Sequence, residues 1–289
     1  MTRDLILVLS TGPLVCDGAM GTMLMSSGLE SRCPEELNLI SPDTVREVHA
    51  AYIAAGANII ETNSFGGNRS KLTKAGIPDQ VEAVNRAAAR IAREAAGDNV
   101  FVAGCIGPLG EFLEPLGELT RDGATAIFRQ QAEALAEGGA DLFIVETMYD
   151  LNEATAAVEG AGATGLPVLC TMTFDTNGRT MMGVSPAQAL SELRMAGAFA
   201  VGANCGVGPE ETFKVIEEMH RVAPGTWLVA QPNAGVPSTE GGRTAYSVGP
   251  AEMASWAGRF LGSGVKILGS CCGSTPEYTR AIVDAIRGR

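Results

Sequence analysis

Three cysteines carry the chemistry this chain can do. Cys205 closes an apolar run and is followed by Gly206, and Cys271 and Cys272 stand side by side ahead of Gly273. Thiolates favour zinc over magnesium or calcium. Three protein ligands with an open fourth position form the arrangement of a catalytic zinc site. The chain holds seven cysteines and two histidines, so a metal site must lean on sulfur or carboxylate. Packing thiols and a strained vicinal disulfide are the alternatives that the cysteines alone leave open. Three thiolates outweigh the two charges of the ion. Such a centre is a weak Lewis acid and suits binding another thiol, holding it deprotonated near neutral pH. That points to alkyl transfer onto sulfur instead of hydrolysis.

The polar residues near these sulfurs fit an amino-acid thiol. Glu146 is placed to accept from an ammonium, and Asp17, Thr62 and Asn63 to orient the same head group. Backbone N–H groups of the loops holding Gly18, Ala19, Gly66 and Gly67 suit a carboxylate. Asn204, beside Cys205, completes the substrate-binding set. A turn cap is the other role open to Asp17, and a rim ion pair the other role open to Glu146. His49 and His220 fall inside helical stretches and read as packing or surface residues.

The elements that must position these residues repeat eight times. Short, near-continuously apolar runs cover Pro13–Asp17, Asn58–Thr62, Val100–Gly104, Leu142–Glu146, Leu166–Thr173, Phe199–Ala203, Trp227–Gln231 and Val265–Gly269. Such runs suit parallel strands covered on both faces. Helical stretches follow them at Ser41–Gly56, Asp79–Ala96, Asp122–Gly139, Leu151–Ala161, Ser185–Gly197, Pro209–Val222, Pro250–Gly262 and Thr275–Arg287. Ser41, Ser185 and Thr275 each precede a proline and read as N-caps. Gly56, Gly139 and Gly197 read as C-cap glycines. Eight β-α units predict an α/β (β/α)8 TIM-type barrel as a single domain over residues 1–289, with an open doubly wound sheet as the alternative. In a barrel the loops after the strands build the site, so Cys205 and the Cys271-Cys272 pair converge across the seventh strand.

Composition agrees with one large folded domain. Of 289 residues, 46% are apolar and 19% charged, enough for a substantial core. Lys plus Arg is 21 against 33 Asp plus Glu, a net charge of −12, which disfavours nucleic acid as a partner. No apolar run approaches the roughly 20 residues of a membrane span. Leu5–Leu9 is shorter than the roughly 7–15 residues of a secretory signal's apolar region. The expected location is cytoplasmic. A Schiff-base aldolase on this fold needs a lysine at a strand's C-terminal end, and Lys71, Lys74, Lys214 and Lys266 are misplaced for it.

The motifs DGAMGT, ETNSFGGNR, GCIGPLGE, FIVETMYD, GANCGVGPEE, QPNAGVP and GSCCGSTPE occur in this order. Together they resemble the homocysteine S-methyltransferase family, from Leu14 to about Ile286. Motif for motif they look most like the homocysteine-binding module of cobalamin-dependent methionine synthase. The resemblance implies a barrel, zinc on Cys205, Cys271 and Cys272, and homocysteine as methyl acceptor with its sulfur as fourth ligand. It places Asp17, Gly18, Thr62 and Glu146 at the amino-acid head group. Asn233, in the seventh-strand motif, is the expected exchangeable fourth ligand when substrate is absent.

The donor is read less directly. All eight units are used by the barrel and no D-x-H-x-x-G motif occurs. The first expectation is therefore a methyl-corrinoid (methylcobalamin) on a separate partner protein, or a chain that is a piece of something longer. A small onium donor such as S-methylmethionine is the alternative. Betaine, which wants an aromatic cage, is disfavoured because only Phe65, Phe112, Tyr149 and Phe174 fall near the expected rim. A non-catalytic subunit that presents zinc-bound thiol to a partner is the reading from another class.

Overall fold

The computed structural model describes residues 4–26, 28–240 and 243–288. All eight expected strands form: β1 (Leu14–Val15), β2 (Ile59–Glu61), β3 (Phe101–Ile106), β4 (Leu142–Met148), β5 (Val168–Met172), β6 (Ala200–Cys205), β7 (Leu228–Pro232) and, after a hairpin of β8 (Ser238–Glu240) and β9 (Arg243–Ala245), β10 (Val265–Leu268). The parallel order is β1-β10-β7-β6-β5-β4-β3-β2. A parallel bridge between Cys16 and Ile59 joins the two ends, and Asn58 N donates to Val15 O at 2.7 Å across the same seam. The sheet is thus a barrel, with helices packed around it.

Alternation along each strand divides the core in two. Leu14, Cys16, Ile59, Phe101, Ala103, Leu142, Ile144, Leu169, Ala200, Val229 and Ile267 form one buried cluster, the barrel interior. The residues between them, such as Val102, Phe143, Val145 and Val201, pack with helix residues in other clusters. This is the period-two pattern of strands buried on both faces. The apolar run Leu5–Leu9 is a helix, Leu5–Thr11, whose Leu5 and Leu9 join the interior cluster with Trp227 and Phe199 at the strands' N-terminal ends. It closes the bottom of the barrel. A seven-residue helix gains little stability by itself, so burial of its leucines in the open barrel end is what holds it.

Helix boundaries follow the expected signals with some differences. Ser185 caps its helix through Oγ to Gln188 N at 3.2 Å. Ser41 and Thr275 do not cap through their side chains; Ser41 Oγ instead meets Thr44 Oγ1 at 2.9 Å. Gly56 ends the helix Pro42–Ala55 at φ 104°, as expected. Gly139 and Gly197 stand one residue beyond their helix caps, Gly138 and Ala196, again at positive φ. The stretch 250–262 is two helices meeting at Trp256. Among the described residues no helix is long and apolar enough to cross a membrane.

Candidate metal and substrate site

The barrel's inward positions change character towards the C-terminal end. Following the interior phase two residues at a time leads from Ile59 to Glu61, Ala103 to Cys105, Ile144 to Glu146, Leu169 to Thr171, Ala200 through Gly202 to Asn204, and Val229 to Gln231. This top layer is polar. With the loops above it, it forms a cavity of about 250 Å³.

One side of the cavity is sulfur. Cys205 ends β6 in register with Pro232 on β7. The Cys271-Cys272 segment is tied to the same end of β7, since Cys271 N donates to Pro232 O at 2.8 Å and Ala234 N to Cys272 O at 3.0 Å. The three Sγ atoms all lie within 4.8 Å of one another, with Cys205 and Cys272 3.7 Å apart. A tetrahedron with Zn–S bonds of ~2.3 Å has edges of roughly 3.8 Å. The Cys205–Cys272 separation matches that edge, and the other two pairs lie within 4.8 Å. Asn233 adds an orphan: its Nδ2 donates to Gly206 O at 3.3 Å, while its buried Oδ1 has no partner among the described residues.

The backbone here is strained in a telling way. Cys205 has φ 57° and Thr147 φ 59°, both in the left-handed region that non-glycine residues avoid. Gly206 follows at φ 65°, and a Cβ on it would come within 2.5 Å of Phe174 O. Gly273, at φ 81°, lies against the Tyr246 ring so closely that no Cβ fits. Hydrogen bonds from Cys205 and then Cys271 hold the Cys272 thiol well below its ordinary range, whereas hydrogen bonding to Cys205 and Cys272 and burial push Cys271 well above it.

The opposite side is carboxylate. Glu146, 8% exposed, accepts from Cys105 Sγ at 2.9 Å and from Asn204 Nδ2 at 2.7 Å. Burial raises its pKa well above the carboxylate range, and the neighbouring Glu61 charge raises it further. Asp17 is 1% exposed and sits beneath Glu61, whose backbone N donates to Asp17 Oδ2 at 3.0 Å. Burial and then Glu61 raise Asp17 as well. Glu61, which sequence reasoning did not single out, belongs to two further groups of ligand-type side chains: one with Cys16 and Asp17, the other with Cys105 and Glu146.

The remaining expected residues are spread around this chamber. Gly18 and Ala19 line it, and Ala19 N is held by Ser274 Oγ at 3.2 Å. Thr62 Oγ1 accepts from Cys105 N at 2.9 Å and meets Ser64 Oγ at 2.6 Å. Asn63 lines the cavity, but its amide donates to Pro34 O and Asn38 Oδ1, fastening the first loop to β2. Of the loop methionines, Met20 lines the cavity, Met23 packs in a core cluster and Met25 is exposed. Sequence reasoning also missed Tyr246 and Gln231. His49 is fully buried, away from the cavity lining, and burial lowers its pKa to about 4.

Asn204 bridges the two sides. It is 2% exposed. Its Oδ1 accepts from Thr147 N and Thr171 Oγ1, both at 2.8 Å, while Nδ2 donates to Glu146 Oε2 and to Thr147 Oγ1 at 2.8 Å. One amide therefore fixes the strained Thr147, orients Glu146 and adjoins Cys205. Asn204→Ala leaves several buried partners unsatisfied at about 1–3 kcal/mol each, so a loss of about 3 kcal/mol is expected in denaturant unfolding of the metal-free protein. A loss under about 0.5 kcal/mol, the usual effect of an ordinary surface change, would show that the amide does not hold this corner together.

The chain matches the family model for homocysteine S-methyltransferase over residues 14–286. It is 33% identical over 304 residues to methionine synthase of Mycobacterium tuberculosis, and 32% over 306 residues to that of Mycobacterium leprae. Each alignment covers 98% of this chain and 25% of the relative, so the chain spans a quarter of the length of these curated relatives. Among solved structures, the homocysteine methyltransferase MmuM from Escherichia coli in its metallated form superposes with a TM-score of 0.80 at 24% identity, covering 96% of this chain and 98% of that one. A methyltransferase from Methanosarcina mazei does so with a TM-score of 0.60 at 14% identity, covering 98% and 97%. At these identities the superpositions speak for the fold.

Proposed function

The chain belongs to the homocysteine S-methyltransferase family, and from that premise we propose that it transfers a methyl group to the thiol of homocysteine, giving methionine, with zinc on Cys205, Cys271 and Cys272. The observation that carries this is the pairing, in one cavity, of three thiols within 4.8 Å of one another with the carboxyls of Glu35, Glu61 and Glu146. Bound zinc supplies the means to keep a coordinating substrate thiol deprotonated near neutral pH.

The chain's own residues do the rest. Glu146, with Asp17 beneath, faces the substrate's ammonium. The loop that holds Gly18 lines the cavity and is the backbone placed for the carboxylate, while Ala19 N–H is spent on Ser274 Oγ. Asn204 holds Glu146 at a fixed distance from the sulfur triad. The unpartnered Oδ1 of Asn233 is available to fill the position that the substrate sulfur takes. Because the thiol proton leaves on binding, no side chain has to act as a base during transfer.

For the donor we propose a methyl-corrinoid borne by another protein or segment, in keeping with relatives that are four times as long. A small onium donor such as S-methylmethionine is the second reading. It is favoured by the cavity lining, which contains Glu35, Glu61 and Glu146 and, among the described residues, no Lys, Arg or His. Betaine fits less well: Phe65 and Phe112 are on separate loops and partly exposed, and Phe174 is buried.

Zinc-loaded protein with homocysteine should form methionine when offered methylcobalamin, S-methylmethionine and betaine in parallel. Turnover with methylcobalamin alone supports the corrinoid reading, and turnover with the sulfonium alone replaces it with the second. Silence with all three, while homocysteine still binds, points to a donor that must arrive on a protein or to the non-catalytic, thiol-presenting alternative.

A further inference from the structure

Asp17, Glu61 and Glu146 form one continuous run of carboxyls. Glu61 offers an oxygen within 4.8 Å of an Asp17 oxygen and an oxygen within 4.8 Å of a Glu146 oxygen, so Glu61 links the other two. No basic side chain lines the cavity among the described residues, and none of the three acids is in an ion pair among those residues. Carboxyls this close cannot all ionise in a half-enclosed chamber without a cation.

Gln231 sharpens the picture. It is 3% exposed, yet it lines the cavity, and it spends its Nε2 on Glu61 Oε1 at 2.5 Å. Its Oε1 has no partner among the described residues. Cys16 Sγ, at 3.3 Å, adds a second donor to the same Glu61 oxygen. One edge of the Glu61 carboxyl is thereby fixed by two donors from β7 and the end of β1. A buried amide oxygen without a donor stands beside it. A primary ammonium carries three N–H donors and one positive charge, which is what this set of acceptors lacks.

We infer that Glu61, held in place by Gln231, is a specificity-determining residue that selects thiol substrates bearing a free primary ammonium. The inference rests on the homocysteine reading of the same cavity and deepens it. Glu146 alone is a single carboxylate, already accepting from Asn204 and Cys105. Glu61 adds the second carboxyl and Gln231 an acceptor, so that an N-acylated or amine-free thiol leaves the chamber unsatisfied.

The test is calorimetric binding of L-homocysteine and of 4-mercaptobutyrate, the same molecule without its amine, to zinc-loaded protein. Wild type should favour homocysteine by at least about 100-fold, since a site built for hydrogen bonds to a group rejects the analogue that lacks it. Glu61→Gln should lose about tenfold or more for homocysteine, leave 4-mercaptobutyrate unchanged and keep its zinc content. Glu61→Asp, which retains the charge, should recover part of the preference. Equal losses for both thiols in Glu61→Gln, or no loss for either, would overturn the inference. Equal binding of both thiols by wild type overturns it while leaving a thiol-binding zinc site intact. Binding of neither thiol by wild type overturns the homocysteine reading itself and this inference with it.

Discussion

Cys205→Ala and Cys272→Ala should each strip bound zinc and cut methionine formation by at least about 10³-fold, the factor that corresponds to about 4 kcal/mol of lost transition-state stabilisation. Alanine keeps the Cβ, so the left-handed backbone at Cys205 is no more strained in the variant than in the native chain. The two cysteines reach the site by different routes, one ending β6 and the other following β10, and they share only the sulfur cluster. A common phenotype in both variants therefore isolates the metal from local backbone effects. Metal content by plasma emission, read beside the activity, decides the matter. Turnover at wild-type rate by either variant with no metal bound would refute the zinc-thiolate mechanism.

The fold was legible because each strand is buried on both faces. That makes the runs continuous and easy to see, and all eight formed within a few residues of their expected bounds. The sulfur triad was legible because a barrel fixes where strand ends meet, and β6, β7 and β10 are neighbours. Less visible were residues whose role is set by phase instead of type. Glu61 and Gln231 stand two positions beyond the interior residues Ile59 and Val229, so the alternation that identifies the core also points at them. Tyr246 had no such signal: it follows β9, far in sequence from Gly273, and only the folded chain brings its ring there. Asn204 looked like a substrate ligand because it adjoins Cys205. The structure adds that its amide makes five hydrogen bonds within the protein, one of them to Cys271 Sγ. Ser41 and Thr275 show the converse, a correct capping pattern whose hydroxyl finds no backbone N–H to cap.

Conversion of Glu146 to Gln should weaken homocysteine binding by about 10²-fold, within the range for removing one partner of a buried charge pair, while leaving zinc content unchanged. Among the described residues Glu146 accepts from Cys105, Asn204 and, at 3.4 Å, Thr147 Oγ1, and from no cysteine of the triad. Its contribution is charge at the amine end. The pH dependence separates this from a packing defect. Burial, and then Glu61, raise the Glu146 pKa, so the empty site keeps a proton on this carboxyl to higher pH than an ordinary glutamate does. A protonated carboxyl does not pair with an ammonium. Homocysteine affinity in wild type should therefore climb as pH rises through that raised pKa, on top of the climb caused by losing the thiol proton. As pH rises above the ordinary carboxylate range, the wild-type slope should exceed that of the variant, which has lost the Glu146 titration. Parallel slopes, with the variant weaker by a constant factor, would mean that Glu146 shapes the pocket without supplying the charge that recognises the amine.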